Sequence, residues 1–410
     1  MDKLLKEISN TMLRNGKIDK GKVITITQSY NLSEDFYNYA NMFKKTGRKV
    51  AEGMVADDRI EKLDTIFFPV VFLYRHSIEL ILKAIGFKYI VNRESRKSFL
   101  KETFHNLSMI LAEIEPYLTK FISVDIKGYQ WLKQLLDNMT NMDRESDSFR
   151  YPFKIIRNKN DKPAYKMKWV FEKQTHIDLI KLINKMETAF EILDTYYLEN
   201  YTKIDEYRNY NTDFLEEGGD YYAQSVVGFA YNRSKMYLYI IGYRKAAELL
   251  MDEAFKSSKN MNLNFLPACY LYKNALELSL KEIVFDIYNQ ETALEHIYHK
   301  KHSILGLWQC IEDRALKLAN GSKKDSMYTY NYGLLNEIHI FDGKSDKFRY
   351  PIDKYLEYHF KKQKKYNIES FNMLFNQTLT FLNGISGMVV HYNEMQAEYE
   401  MEMRSWADDY

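Results

Sequence analysis

Residues 68–83, Phe-Pro-Val-Val-Phe-Leu-Tyr-Arg-His-Ser-Ile-Glu-Leu-Ile-Leu-Lys, return at 266–281 as Leu-Pro-Ala-Cys-Tyr-Leu-Tyr-Lys-Asn-Ala-Leu-Glu-Leu-Ser-Leu-Lys. The Pro, the Leu-Tyr pair, the Glu-Leu pair and the closing Leu-Lys coincide. Two more landmarks return at nearly the same offset. His105-Asn106-Leu107 becomes His302-Ser303-Ile304, and Ser146-Asp147-Ser148-Phe149-Arg150-Tyr151-Pro152 becomes Ser345-Asp346-Lys347-Phe348-Arg349-Tyr350-Pro351. Three landmarks kept at nearly one spacing describe a tandem duplication of units of roughly 200 residues. The reading is an extension at 1–32, copy one at 33–200, a polar linker at 201–219 ending Glu-Glu-Gly-Gly, copy two at 220–399 and a tail at 400–410.

The repeated stretch reads as a helix that is apolar nearly all round, which belongs in the middle of a bundle. Pro69 and Pro267 are expected in its first turn, where the missing N–H costs nothing. Ser33, followed by Glu34 and Asp35, reads as the cap of a preceding helix running to about Met54, with its partner at Tyr221–Phe255. Further helices are expected from His105 and His302, at Tyr129–Met142 and Met327–Ile340, and as closing helices at His176–Tyr197 and Ile368–Glu398. Val23-Ile24-Thr25-Ile26-Thr27 is the one strand-like alternation outside the copies, and 1–32 has no match in the second half. The fold class is all-α, two related helical bundles with short connections.

Acids and bases nearly cancel, leaving a net charge of +2, so any polyanion must be held by local patches rather than by a global field. The two cysteines, Cys269 and Cys310, exclude a disulfide framework or cysteine metal cluster and suit a reducing, cytoplasmic setting. The start is charged and amphipathic, unlike a signal peptide, and the longest uncharged apolar run is too short to span a bilayer, so no membrane association is expected. His296, His299 and His302 have only the last matched in copy one; no metal and no cofactor is expected, and no nucleotide-binding glycine loop occurs.

One polar stripe interrupts the organising helix: Arg75, His76, Glu79 and Lys83, matched by Lys273, Asn274, Glu277 and Lys281. Its spacing allows an intrahelical, partly solvated ladder, with Glu79 four residues before Lys83, or else a face turned into a cleft between the copies. Arg150 and Arg349 sit in rigid Asp-x-Phe-Arg-Tyr-Pro turns, where each pairs with an internal carboxylate such as Glu79 or Glu277, or else holds a phosphate. Basic, irregular segments follow, including Lys154, Arg157 and Lys159 in copy one and Lys361, Lys362, Lys364 and Lys365 in copy two. Interleaved with Tyr165, Trp169 and Tyr366, they have the composition of a single-stranded RNA site. His105 and His302 cap a helix start or carry protons.

The run Tyr-Arg-His-Ser-Ile-Glu-Leu-Ile-Leu-Lys, then His-Asn-Leu, then Phe-Arg-Tyr-Pro, resembles bacterial proteins of the HEPN superfamily, helical bundles found in toxin–antitoxin and phage-defence systems. Active members are metal-independent ribonucleases in which a closely spaced Arg and His meet in a dimer cleft. The resemblance implies a fused, intramolecular pseudo-dimer that contacts RNA. No Arg of this chain is followed by a His at the family's spacing, so a catalytic site here must be non-standard, built on Arg150, Arg349, His105 and His302. The alternative is a catalytically silent adaptor that holds a protein partner, with the oligomeric state open.

Overall fold

The structure, a computed structural model, describes residues 22–56, 61–158, 163–200, 202–228, 232–342, 346–360 and 364–408. It is mostly helical. The first half contains α1 (Leu32–Val55), α2 (Glu61–Tyr89), α3 (Arg93–Thr103), α4 (Leu107–Ile114), α5 (Thr119–Val124), α6 (Ile126–Met142) and α7 (Leu179–Leu198). The second contains α8 (Asn232–Ala254), α9 (Ser258–Ile287), α10 (Gln290–Lys300), α11 (Ile304–Leu318), α12 (Ser326–Asp342) and α13 (Ile368–Asp408). Short strands accompany them: β1 (Val23–Ile26), β2 (Phe153–Arg157), β3 (Tyr165–Trp169), β4 (Thr175–Asp178), β5 (Gln224–Val227) and β6 (Lys364–Asn367).

α2 and α9 are the organising helices, and both begin earlier than expected. Acids Glu61 and Asp64 occupy the first turn of α2, and Ser257 caps α9 by accepting from the Asn260 N–H. Pro69 and Pro267 therefore lie inside their helices, not in the first turn. An interior proline withholds the hydrogen bond due to the carbonyl four residues back, which for Pro69 is Thr65. The second half uses that gap: a Cβ on Gly242 of α8 would stand 1.9 Å from the Thr65 carbonyl oxygen. Only glycine lets the two backbones meet there. Gly242→Ala should lower stability by about 1–3 kcal/mol, whereas Gly384→Ala, at an open site on α13, should raise it by about 0.5–1 kcal/mol. Denaturant titration of the two variants checks the contrast.

α2 is long and apolar enough by composition to cross a bilayer, yet that stretch is wholly buried inside the protein. Aromatic rings fasten it to the second half, with Phe68 stacked on Tyr239 at 3.7 Å and Phe72 on Tyr270 at 4.8 Å. Tyr239 and Tyr243 donate to the Ser148 and Phe149 carbonyls at 3.1 and 3.0 Å.

Other expectations are corrected. Ser33 lies inside α1, and its hydroxyl donates to the Ala84 carbonyl at 2.8 Å instead of capping. The Tyr221–Phe255 span is not one helix, because Gln224–Val227 is a strand. β5 pairs antiparallel with β4, as β1 pairs with β6, so each strand ahead of a half's first long helix joins the strand ahead of the other half's closing helix. β1 thus has a structural counterpart in the second half. The basic segment after Pro152 is not irregular but the β2–β3 hairpin. The linker packs on the first half: Trp131 and Asn138 donate to the Tyr210 and Thr212 carbonyls, and Gly218 and Gly219 turn the chain with φ of 118° and 96°.

Candidate active site

Glu79 is the centre of one buried cluster. Its Oε2 accepts from Arg75 Nη1 at 2.6 Å, and its Oε1 from Lys83 Nζ at 2.7 Å. The intrahelical ladder is present, but it is buried, not partly solvated: Arg75, Glu79 and Lys83 are at most 4% exposed. Arg75 also pairs with Asp143 at 3.2 Å and donates to the His105 carbonyl at 2.6 Å. Two acids, Glu79 and Asp143, thus balance two bases, Arg75 and Lys83, the condition under which buried charge is tolerated.

Two further groups reach Glu79 Oε1. His105 Nδ1 lies 2.9 Å away, and the hydroxyl of Tyr350, from the Arg-Tyr-Pro turn of the second half, donates at 2.7 Å. The reverse crossing occurs in the second cluster. Glu277 Oε1 accepts from Lys281 Nζ at 2.6 Å and lies 2.9 Å from His302 Nδ1, while Tyr151 of the first half meets His302 Nδ1 at 2.9 Å. His76 Nε2 contacts the Arg349 carbonyl at 3.1 Å, and Asn274 donates to the Arg150 carbonyl at 3.3 Å. Lys273 is buried beside Glu277 and helps depress its pKa. Each half's turn serves the other half's stripe.

Physical surroundings set the protonation states. Burial alone would raise the Glu79 carboxyl, but Lys83, His105 and Arg75 together hold it well below the usual carboxylate range; Glu277 is held low in the same way by Lys281, His302 and Lys273. Burial lowers the pKa of His105, and Glu79 offsets this only in part, so the imidazole is neutral at neutral pH. Burial also lowers Lys83, and burial with the nearby carboxylates raises Tyr350 and Tyr151 well above the usual phenol.

The two histidines are the outward members of their clusters, His105 with 26% of its side chain exposed and His302 with 40%. Neither caps a helix; Asn106 and Ser303, the next residues, do so by accepting from Met109 and Gly306. The residue before each histidine carries a backbone strain, Phe104 with φ 45° and ψ −107° and Lys301 with φ 51° and ψ −109°. Such a geometry costs a non-glycine residue about 1–3 kcal/mol and persists only where the surroundings enforce it. Sequence reasoning passed over Phe104, a residue 61% exposed.

His105 opens into a cleft of about 590 Å³ between α3 and the segment 346–355. Five bases line it, Lys83, Lys97, Lys101, Arg349 and Lys354, against two acids, Asp346 and Asp353, with Tyr350 and Phe104 among its walls. The excess of cations favours an anion. Arg349 is set against the rings of Tyr270 and Tyr350, at 5.4 and 5.2 Å. Arg150 is held in its own turn by Asp147 and by the Ser146 carbonyl at 2.5 Å, so its carboxylate partner is Asp147 and not Glu79 or Glu277.

The basic segments are placed unequally. Lys154 is exposed on β2 directly opposite Lys168 of β3, with Lys166 on the same face, whereas Arg157 lies over the rings of Tyr165 and Tyr298. Lys365 is exposed on β6 beside Thr25, Lys364 pairs with Ile26, and Lys159, Lys361 and Lys362 lie outside the described residues. The interleaved rings face inward: Tyr165 bonds His299 at 3.1 Å, Trp169 packs on Phe153, and Tyr366 joins Phe341, Phe360 and Phe371. Among the described residues no group of His, Cys, Asp and Glu has the arrangement of a metal site. Comparison with protein-family models, with curated proteins and with solved structures found no match.

Proposed function

We propose that this chain is an intramolecular pseudo-dimer that binds single-stranded RNA in the cleft at His105 and cuts it without a metal. The observation that carries the reading is the Glu79–His105 pair: Nδ1 is taken by the carboxylate, which leaves Nε2 of a neutral imidazole for a cleft rich in cations. In this reading His105 Nε2 takes the proton of a ribose 2′-hydroxyl, whose oxygen attacks the adjacent phosphorus. The 5′-oxygen leaves with a proton from Lys83, whose ammonium is made more acidic by burial. The products are a 2′,3′-cyclic phosphate and a 5′-hydroxyl. Arg349 and the rim lysines meet the charge that develops on the phosphate, and the exposed Phe104 ring stacks a base. The crossed contacts of Tyr350 and Tyr151 support the pseudo-dimer, since each cluster is completed from the other half. The opposed Lys154 and Lys168 support a polyanion ligand too, because like charges facing across a ladder cost stability without one.

Binding is tested with a labelled, non-cleavable oligoribonucleotide over a salt series. The triple variant Lys97→Ala/Lys101→Ala/Lys354→Ala should flatten the slope of log affinity against log salt by about 2, at about 0.7 per phosphate contact. Phe104→Gly separates a ligand role from a structural one: it should raise stability by about 1 kcal/mol by relieving strain, while weakening RNA binding by about tenfold through lost stacking. An unchanged affinity in both variants would overturn the reading. A second reading, an adaptor in a defence or stress system, is favoured by the exposed Met395, Tyr399, Met401, Met403 and Trp406 of α13. It gains if salt leaves every binding measurement unchanged.

A further inference from the structure

The two halves differ between their last two helices. In the first half the groove between α6 and α7 is filled by the chain's own linker. Trp131 Nε1 donates to the Tyr210 carbonyl at 2.9 Å, Asn138 to the Thr212 carbonyl at 2.7 Å, and Lys185 to the Asp213 carbonyl at 2.6 Å. The Tyr207 ring seats against Gly128, and Phe214 is buried. The space left beside Ile192 and Ile204 is about 20 Å³.

The repeated landmarks and helix caps locate the counterpart. Counting from the Ser-Asp-x-Phe-Arg-Tyr-Pro turns sets Trp131 against Tyr330 and Asn138 against Glu337; counting from the caps Asp178 and Asn367 sets Ile192 against Phe381. Tyr74 and Tyr272 confirm that alignment, the first bonding Glu187 and the second the side chains at Asn372 and Asn376, where Asn376 is the counterpart of Glu187. Tyr330 and Phe381 line an open groove of about 1020 Å³ between α12 and α13.

We propose that this groove receives an extended peptide segment bearing an aromatic ring, supplied by a protein partner and seated as the linker is seated in the first half. Two observations favour that occupant. The same helix pair already takes extended chain in the first half, through carbonyl contacts and a seated tyrosine. Its walls offer amides and hydroxyls, Asn331, Asn376, Gln377 and Thr380, beside apolar Met327 and Phe381, with Lys324 the one base among the lining residues, which suits a peptide backbone and not a polyanion.

The test uses the full chain as bait for a phage-displayed library of random peptides. Counter-selection uses Thr380→Trp, which fills the groove from the exposed face of α13, and Thr329→Trp, which fills it from α12. Both variants are first shown to melt with the wild type. The expected result is enrichment of tyrosine-, phenylalanine- or tryptophan-containing peptides with micromolar affinity, weakened at least tenfold by either tryptophan, with RNA binding unchanged. Absence of any enriched peptide, or peptides that bind both variants as well as the wild type, overturns the proposal. Because the groove is separate from the His105 cleft, failure here leaves the RNA reading standing, and the reverse holds.

Discussion

Glu79→Ala is expected to destabilise the protein by about 3–5 kcal/mol, the range for removing one partner of a buried ion pair. The carboxylate serves Arg75, Lys83, His105 and Tyr350 together, and its loss leaves two buried bases facing Asp143 alone. Because Tyr350 comes from the second half, the loss should also loosen the contact between the halves. A hydrophobic replacement of the whole ladder, Arg75→Met/Glu79→Leu/Lys83→Met, should cost far less than Glu79→Ala, since it removes the charges along with their pairing. The same carboxyl sets an acid limit. Its pKa is held below the ordinary 4.5 in the folded state, so its contribution is fully present above about pH 4.5 and is lost as pH falls through the lower folded value; Glu277 acts in the same direction. Denaturant midpoints measured from pH 7 to pH 3 should fall steeply below about pH 4.5, and less steeply in the hydrophobic triple variant.

His105→Ala is expected to reduce RNA cleavage by about 10²–10⁴-fold, the usual worth of a positioned general base, with a modest effect on melting because the ring is partly exposed. The pH profile gives the sign. Burial lowers the His105 pKa, so the base is already deprotonated at neutral pH, and the rate should be flat there and fall only as pH drops below about 6.5. His302→Ala, in the cluster completed by Tyr151, serves as the comparison. A loss confined to His105 identifies the cleft of the first half as the working one.

Much of this was legible in the chain. The duplication located α2 and α9, and i, i+4 spacing located the Glu79–Lys83 and Glu277–Lys281 pairs, whereas the one cap read from the sequence, Ser33, lies inside its helix. The crossing was not legible, because a repeat shows which residues are equivalent but not which copy each one serves. Arg150 and Arg349 were natural partners for the buried glutamates on charge alone. Instead Arg75 fills that place for Glu79 from within its own helix, and the tyrosines beside Arg150 and Arg349 make the crossing contacts. Pro69 read as a first-turn residue because an interior proline normally breaks a helix; here the gap it leaves is covered by Gly242 of the other half, a contact no local pattern records. The β2–β3 hairpin did leave a signal: Phe-Lys-Ile-Ile-Arg and Tyr-Lys-Met-Lys-Trp carry the alternation of half-buried strands beneath their basic composition. Phe104 left almost none, since neither its exposure nor its strained backbone can be seen until the turn before His105 is built.

The most direct measurement is incubation of the purified chain with a defined single-stranded RNA in EDTA, reading the termini of any fragments. The account predicts discrete cuts bearing 2′,3′-cyclic phosphate and 5′-hydroxyl ends, present in the wild type and absent in His105→Ala that melts normally. Intact RNA, or cuts that persist unchanged in His105→Ala, would contradict it.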